Sequence, residues 1–262
     1  MARPIVTFLS DFGAGSGYPA QMKGEVLRRL PDATLVDVSH DVGPFDVLRG
    51  ALLLEACVPR FPGHAVHLAV VDPGVGTTRR PLCVVDREGR RLVGPDNGLF
   101  TPFLAGGKAF LLSDPGLVPR DPHPTFHGRD LFAPVAAWLA GGGEPSLLGP
   151  AVPDPVRLDW PEPVRTGEVL LGACLAADPF GNVATSIRRD DVADADLGAV
   201  TVAGRPARVV LTFGEGRPGE LLALWGSSGR LEFAVREGSA AALPGMASAT
   251  VRVELRPRAA TR

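Results

Sequence analysis

A mostly apolar run, Val66–Val71, is the feature that most constrains the fold of this chain of 262 residues. Such a run predicts a buried strand. The strand must end at Asp72, because Pro73 lacks the N–H that a sheet ladder needs and Gly74 allows a sharp turn. The sequence therefore predicts a buried strand with a carboxylate at its carboxyl end.

The loop that follows this strand, Asp72–Arg80, contains glycines and brings Arg79 back towards Asp72. In open α/β sheets, ligands bind at the carboxyl edge of the strands. Because short motifs are weak signals, the loop alone supports two interpretations. It is either part of a ligand site or a turn closed by a structural Asp–Arg pair.

Strands and helices alternate over residues 1–150, which favours an α/β domain with a largely parallel sheet. Asp46 is a plausible N-cap for a helix that ends at about Cys57. The other predicted helices are Tyr18–Leu30 and Leu131–Ala140. The predicted strands are Ile5–Leu9, Thr34–Val38, Val66–Val71, Pro81–Asp86 and Ala109–Leu112.

The second half of the chain has a different pattern. Prolines are dense over residues 151–167, which predicts a linker between domains without regular structure. Beyond it, short β-rich runs separated by Gly, Pro and Asp predict a small all-β domain, a barrel, over residues 168–262. These runs are Glu168–Leu175, Ala199–Val202, Ala207–Thr212, Leu221–Trp225, Arg230–Val235 and Thr250–Leu255.

Charge and composition exclude several classes of partner. The 27 basic and 29 acidic side chains nearly cancel, and no run of Lys or Arg suggests nucleic-acid binding. No segment approaches the roughly 20 apolar residues of a membrane span, and no signal peptide is recognisable. Three cysteines far apart in sequence suit a reducing compartment. We expect a cytoplasmic protein with neither nucleic-acid nor membrane partners.

Aspartates follow three predicted strands: Asp11, Asp41 and Asp72. If the strands are parallel, these carboxylates meet at one edge of the sheet. They would repel one another unless a ribose diol, a metal or a cationic substrate lies between them. Asp11 is interpreted as a ligand of ribose hydroxyls, with a turn-forming Asp as the alternative.

The glycine-rich segment Gly13–Gly17 is only superficially similar to a dinucleotide-binding loop, because Tyr18 replaces the third glycine of that motif. His127 directly precedes a predicted helix, and a His at a helix N-terminus tends to stay neutral. The alternative for His127 is a surface-loop residue. We expect His40 to be structural, and Arg80 and Arg129 to be salt-bridge partners.

Two turns of the second domain carry polar side chains. In Asp178–Asn182, the Asn182 amide offers a donor and an acceptor, which suits a purine edge or an amino-acid head group. The alternative interpretation of this segment is a hairpin turn. The turn Trp225–Gly229 contains Ser227, which lacks the surroundings of a nucleophilic serine.

In their order, these motifs resemble the S-adenosyl-L-methionine (SAM) hydroxide adenosyltransferases, relatives of fluorinase and chlorinase. The resemblance implies an α/β domain, a C-terminal β-barrel, and a homotrimer with active sites between the first domain of one subunit and the second domain of a neighbour. The segments that carry it are Thr7–Gly13, Ala20–Gly24, Asp37–Asp41, His67–Arg80, Gly94–Leu99, Thr125–Asp130, Phe180–Asn182 and Leu231–Gly238.

The resemblance also implies roles for individual residues. The catalytic set falls on Asp72, Arg79 and His127, and the ribose and its aromatic wall fall on Asp11 and Phe45. Neither a cofactor nor a metal is implied. Groups that bind adenine and the methionine moiety fall on Asp178, Asn182, Ser227 and the backbone near Ala240.

The implied reaction is hydrolysis of SAM to adenosine and L-methionine, with water attacking ribose C5′. Asp72 stands where the halogenases carry Tyr, which favours water over halide. Gly226 and Ser239 depart from the family pattern, in which Asn is usual. A 5′-halogenase and a non-catalytic SAM or adenosine binder are the alternatives. A metal-dependent phosphoesterase is disfavoured, because no metal set is recognisable and Arg79 would oppose a cation.

Overall fold

Packing divides the chain into two units, Met1–Leu158 and Asp159–Arg262, each with its own apolar core. The computed structural model describes residues 2–192 and 194–257. Residues 258–262 of the predicted barrel domain therefore lie outside the described residues.

The first unit contains a six-stranded sheet with the strand order β2-β1-β3-β5-β4-β6. Strands β1, β2, β3 and β5 are parallel, whereas β4 is antiparallel to both of its neighbours. The predicted α/β class with a largely parallel sheet is confirmed. The strands are β1 Ile5–Ser10, β2 Thr34–Ser39, β3 Val66–Val70, β4 Pro81–Val85, β5 Arg91–Pro95 and β6 Lys108–Leu111.

Three helices cover this sheet: α1 Tyr18–Arg29, α2 Val47–Cys57 and α3 Ala133–Ala140. The Asp46 carboxylate accepts a hydrogen bond from the Arg49 N–H at 2.8 Å, so it caps α2 as predicted. Successive strand residues point to opposite faces of the sheet. Phe8 therefore packs in the core with α1 and α3, and Leu9 in the core with α2.

The second unit is a closed barrel, which confirms the predicted all-β barrel. Seven strands follow the order β14-β10-β11-β12-β13-β9-β8, and pairing of β14 with β8 closes the ring. An eighth strand, β7, pairs with β8. The strands are β7 Val164–Thr166, β8 Val169–Ala177, β9 Val183–Arg188, β10 Ala195–Val202, β11 Arg205–Val209, β12 Leu221–Trp225, β13 Arg230–Val235 and β14 Thr250–Pro257.

The core of the barrel follows the alternation of its strands. In β14, Val251, Val253 and Leu255 are buried, while the intervening Arg252 and Glu254 are exposed. This period of two is the pattern that fills a small barrel from within.

Two strands of this unit differ from the sequence expectations. Strand β7 lies inside residues 151–167, for which the prolines predict no regular structure; it falls between Pro163 and Gly167 and pairs with β8. Strand β9 was not predicted, because it carries buried polar residues, Thr185 and Ser186, among its apolar ones.

The three cysteines are free thiols, with Cys83 and Cys174 buried and Cys57 half-buried. Burial raises the pKa of Cys83 to about 12 and that of Cys174 to about 11. Among the described residues, no helix combines the length and apolarity needed to cross a membrane.

Candidate active site

A cavity of about 300 Å³ lies at the carboxyl edge of the parallel strands. Asp11 follows β1 and Asp72 follows β3, and both carboxylates line it, as their positions in the sequence predict. Asp41 is absent from the lining; its carboxylate instead accepts the Ala14 N–H at 3.0 Å. The other lining residues are Phe12, Tyr18, Pro44, Phe45, Val70, Val75, Thr125, Phe126, His127 and Gly128.

Arg79 binds the Asp72 carboxylate with two nitrogens. Its Nε lies 3.1 Å from Oδ1 and 3.0 Å from Oδ2 of Asp72, and its Nη2 lies 2.6 Å from Oδ2. The side chains are only 3% (Asp72) and 8% (Arg79) exposed, so the pair is shielded from bulk solvent. Charge-assisted bonds of this bidentate kind fix geometry as well as charge.

The loop between these two residues explains how Arg79 returns to Asp72. The Thr77 hydroxyl donates to the Gly74 carbonyl at 2.7 Å and accepts the Arg79 N–H at 3.3 Å. Gly76 has a φ of 75°, and a Cβ there would lie 2.7 Å from the Pro124 carbonyl oxygen. Only glycine fits this turn, since both conformation and space exclude a side chain.

Arg79 also contacts His127: its Nη2 lies 2.8 Å from His127 Nδ1. A guanidinium only donates hydrogen bonds, so Nδ1 accepts and the neutral ring carries its proton on Nε2. Burial, followed by the charge of Arg79, lowers the pKa of His127, while Asp72 and Asp130 oppose the shift. The neutral His127 expected from the sequence agrees with this direction.

A π-helical turn, Gly128–Phe132, begins directly after His127 and continues into α3. The sequence predicted only a helix from about Leu131. Phe132 in this turn lies under the Arg79 guanidinium, 5.2 Å from ring centroid to Cζ. His127 precedes this turn and Phe132 ends it, and both side chains contact Arg79. Turns of this type occur often at functional sites.

Asp11 and Phe45 meet at the cavity. The Phe45 N–H donates to Asp11 Oδ2 at 2.9 Å. Within the described part of the chain, Asp11 Oδ1 has no hydrogen-bond partner. Phe45 has a φ of 65°, which is rare for a bulky side chain, and the residue is 67% exposed.

Three aromatic rings form one wall of the cavity, and sequence reasoning did not select them. Phe12, Tyr18 and Phe126 contact one another edge to face, with centroids 5.1–6.0 Å apart. The available signal was sequence adjacency, because Phe12 follows Asp11 and Phe126 precedes His127.

The two arginines predicted to form salt bridges do so. Arg80 binds the buried Asp96 at 2.7 Å and Asp154 at 2.8 Å. Arg129 pairs with Asp130 at 2.6 Å. Neither arginine lines the cavity.

In the barrel unit, Asp178 and Asn182 lie side by side. The Asp178 carboxylate accepts the N–H of Asn182 and the Asn182 side-chain amide, each at 2.9 Å. The loop at Ala240 contacts the same turn, because the Ala241 N–H donates to the Gly181 carbonyl at 2.9 Å. Ala240 itself is fully buried, whereas Ser239 before it is half-buried and Ala241 after it is exposed.

Ser227 lies in the turn between β12 and β13, next to Gly226. A Cβ at Gly226 would overlap the carboxylate of Glu232, so the end of that flexible side chain would have to move to admit the Asn that the family resemblance implies. Burial, followed by the charge of Asp178, raises the pKa of Glu232, and a hydrogen bond with Ser228 opposes the shift.

No group of three or more His, Cys, Asp or Glu that could hold a metal ion occurs in residues 2–192 and 194–257. Arg79 donates hydrogen bonds to both carboxylate oxygens of Asp72.

Two family models match the chain. The SAM hydroxide adenosyltransferase N-terminal domain matches residues 6–149, and the C-terminal domain of the same family matches residues 172–251.

Curated relatives match over much of the chain. An (R)-S-adenosyl-L-methionine hydrolase of Thermus thermophilus is 44% identical, covering 91% of this chain and 94% of the relative. One of Salinispora tropica is 41% identical, covering 93% and 94%. A fluorinase of an Actinoplanes species is 31% identical, covering 80% of each protein.

Solved structures agree with the fold. A conserved uncharacterised protein from Thermotoga maritima has a TM-score of 0.83 at 32% identity, covering 95% of this chain and 99% of that one. A conserved hypothetical protein from Thermus thermophilus has a TM-score of 0.77 at 41% identity, covering 96% and 100%.

Proposed function

Because the chain belongs to the SAM hydroxide adenosyltransferase family, we propose that it hydrolyses SAM to adenosine and L-methionine. The observation that carries this proposal is the contact of Arg79 with both Asp72 and His127 at a cavity that Asp11 also lines. In this cavity, Asp11 Oδ1 is available to a ribose diol, and Asp72 and His127 are available to a nucleophile.

Asp11 binds the ribose. Its Oδ2 is occupied by the Phe45 N–H, and Oδ1 accepts from the ribose hydroxyls. A carboxylate suits this task because it only accepts hydrogen bonds and each hydroxyl donates one. Phe45, Phe12 and Phe126 provide apolar surface for the adenosyl group.

Asp72 and His127 hold the attacking water. Asp72 accepts a hydrogen bond from the water, and His127 donates to the water oxygen through its Nε2–H. Arg79 orients both groups from outside the lining. Holding the nucleophile in line with the C5′–S bond supplies several kcal/mol of the barrier, up to about 7–11 kcal/mol for ideal alignment.

The reaction balances without a second reactant. The water oxygen forms a bond to C5′, and the C5′–S bond breaks with its electron pair moving to sulfur. Methionine leaves as a neutral thioether, so the leaving group needs no acid. One proton leaves the water, and transfer to a positioned group accelerates such a step by about 10²–10⁴-fold.

Asp72 receives that proton first. His127 has no free lone pair in this arrangement, because Nδ1 accepts from Arg79 and Nε2 carries a proton. The carboxylate of Asp72 retains lone pairs beyond those bound by Arg79 and lines the cavity. His127 therefore acts as a donor to the nucleophile.

Charge at the cavity favours water over halide. The charged side chains of the lining, among the residues described, are the carboxylates of Asp11 and Asp72. A halide ion would be repelled by both, and Arg79 is engaged by Asp72. The hydrolases at 41–44% identity are also more similar to this chain than the fluorinase at 31%.

The relatives' names specify the (R) configuration, and we extend it to this chain as a proposal. Purified protein is incubated with each sulfonium epimer of SAM, and chromatography measures adenosine and methionine. Equal amounts of both products from the (R) epimer support the proposal. Binding without product would instead make the chain a sensor, and 5′-halo-adenosine in the presence of chloride, bromide or fluoride would make it a halogenase.

Residues of the barrel unit are proposed to bind the rest of the substrate. Asp178, Asn182 and Ser227 supply polar groups for adenine and the methionine moiety, together with the backbone near Ala240. We also propose a homotrimer with active sites between subunits, and a cytoplasmic location that the free cysteines support. Native mass spectrometry measures the number of subunits, and cell fractionation the location.

Catalysis is proposed to need no cofactor and no metal. Methionine leaves as a neutral thioether without assistance, and the Asp72–Arg79 pair binds the attacking water through Asp72. Dialysis against a chelator, followed by elemental analysis and the same chromatographic assay, tests this. Loss of activity that a divalent ion restores would contradict it.

A further inference from the structure

Ser10, His40 and Asp37 form a hydrogen-bonded chain beside the proposed ribose site. The Ser10 Oγ lies 2.8 Å from His40 Nδ1, and His40 Nε2 lies 3.0 Å from Asp37 Oδ1. Lys23 continues the chain towards solvent, with its Nζ 2.6 Å from Asp37 Oδ2. Neither Ser10 nor His40 lines the cavity, and these hydrogen-bonded residues have no role in the proposed mechanism.

The arrangement contains the residue types of a serine hydrolase triad but does not suit nucleophilic attack. Ser10 is fully buried and His40 is 5% exposed, so no substrate reaches the hydroxyl. Ser10 Oγ also accepts the Phe12 N–H at 3.4 Å. A hydroxyl that is held at both its donor and its acceptor positions is a structural connector.

The protons of this chain can be assigned. Because the Asp37 carboxylate only accepts hydrogen bonds, His40 Nε2 carries a proton and donates to it. In the imidazole tautomer that carries this one proton, Nδ1 is the acceptor, so the Ser10 O–H donates to Nδ1. Both ring nitrogens are then satisfied.

His40 also joins two loops through its backbone. Its carbonyl accepts the Gly13 N–H at 2.7 Å. On either side, the Ser10 carbonyl accepts the Val42 N–H, and Asp11 Oδ2 accepts the Phe45 N–H. The segment after β1 and the segment after β2 are thus bound along their length, with His40 at the centre.

We propose that His40 is a positioning residue for substrate binding, which holds Asp11 in place through Ser10. The proposal rests on Asp11 binding the ribose, as set out above. Ser10 and Phe12, the chain neighbours of Asp11, are both fixed by the Ser10 hydroxyl, whose proton His40 accepts. Loss of that acceptor frees the hydroxyl to rotate and releases Asp11 from its orientation towards the cavity.

Two substitutions at His40 distinguish the effect of its hydrogen bond with Ser10 from that of its hydrogen bond with Asp37. His40→Asn places an amide oxygen near the position of Nδ1 and so preserves an acceptor for Ser10. His40→Gln reaches the position of Nε2 and preserves a donor for Asp37, but lacks the acceptor near Ser10. The expected affinity for adenosine, measured by calorimetry, falls about tenfold in His40→Gln and recovers in large part in His40→Asn. His64→Gln, at an exposed histidine, is the control and leaves the affinity unchanged.

A double-mutant cycle with Asp11→Ala distinguishes positioning from general loss of structure. If His40 acts through Asp11, His40→Gln weakens adenosine binding about tenfold in the wild type but less than twofold in Asp11→Ala. Equal losses in both backgrounds would overturn the proposal. Ser10→Ala is expected to reproduce the same coupling and replaces His40→Gln in the cycle if circular dichroism shows that variant to be unfolded.

The kinetics of SAM hydrolysis provide the second measurement. His40→Gln is expected to raise KM about tenfold and to change kcat less than threefold, since His127, Arg79 and Asp72 are untouched. A fall in kcat alone would contradict positioning of the ribose. A wild-type protein that binds adenosine without hydrolysing SAM would refute the proposed function alone, and the cycle on adenosine would still decide the role of His40. A wild-type protein that does neither would overturn both.

Discussion

The guanidinium of Arg79 lies 2.8 Å from Nδ1 of His127 and donates a hydrogen bond to it. This contact determines which nitrogen of the imidazole carries the proton, because arginine cannot accept. His127 therefore presents an N–H to the cavity. The orientation of the ring follows from the ion pair behind it, and the chemistry of the site depends on that pair remaining intact.

Substitution of His127 tests this N–H. His127→Asn keeps an acceptor near Nδ1 for Arg79 but removes the donor at Nε2. We expect kcat for SAM hydrolysis to fall about 10²-fold, the usual effect of removing one donor at a reacting centre, with KM changing less than threefold. Stopped-assay chromatography of adenosine measures both constants. A kcat within fivefold of wild type would show that His127 does not contact the nucleophile.

The pH dependence of kcat/KM reports the same residue. Burial and the charge of Arg79 lower the pKa of His127, so the ring stays neutral at pH values where an ordinary histidine, near 6.5, is protonated. Activity should therefore persist below pH 6.5 and fall only at more acidic pH, when protonation breaks the bond from Arg79. His127→Asn should lose this acid limb. An unchanged limb in that variant would assign it to another group.

The buried pair of Asp72 and Arg79 affects stability and catalysis differently. Asp72→Asn or Arg79→Leu alone leaves one buried charge without its partner, which costs about 3–5 kcal/mol of unfolding free energy. The double variant removes both charges and should recover most of that loss. All three variants should lose adenosine formation at least 10³-fold. Urea unfolding measures the stability, and recovery of activity in the double variant would argue against a catalytic role.

Phe45 combines backbone strain with an exposed aromatic ring. Phe45→Gly removes the ring and relieves the positive φ, whereas Phe45→Ala removes the ring and keeps the strain. We expect the Gly variant to be about 1 kcal/mol more stable than the Ala variant, while KM for SAM rises about tenfold in both. Equal stability of the two variants would show that the loop relaxes without cost. An unchanged KM would remove Phe45 from the binding site.

Burial, followed by the charge of Arg90, lowers the pKa of His67 to about 4. The folded state keeps this ring neutral, whereas the unfolded chain takes up a proton near pH 6.5. Stability should therefore decrease as the pH falls from about 6.5 to about 4, by about 3 kcal/mol from this residue. Urea unfolding measures the free energy of unfolding of the wild type and of His67→Phe at each pH. The difference between the two proteins separates the contribution of His67 from that of the carboxylates. A difference that is constant over this range would contradict the assignment.

Much of the fold was accessible from sequence, because long apolar runs and strong turn signals mark most of its elements. Strand β5, Arg91–Pro95, was not predicted, although the turn at Asp86–Arg90 fixes its antiparallel pairing with β4. Strand β9 lacks an apolar run, so its place in the barrel depends on neighbours that are distant in sequence.

Within the site, Asp72 and Arg79 were predicted together because one tight loop joins them. The contact between Arg79 and His127 is a different case, since 48 residues separate them. Family resemblance associated these residues, but only the structure gives the atoms that meet. The bond between Ser10 and His40 is likewise a tertiary contact, between the ends of β1 and β2, and no local pattern marks it.

The π-helical turn at Gly128–Phe132 sets the angular phase between His127 and α3. A π turn accommodates one residue more than an α-helical turn, and one residue of an α-helix corresponds to a rotation of about 100°. The apolar side of α3 is fixed by the core, with Val135 and Leu139 fully buried. The extra residue is thus a local insertion that aims the imidazole independently of the helix, so shortening this turn by one residue would misdirect His127 while leaving the helix packed.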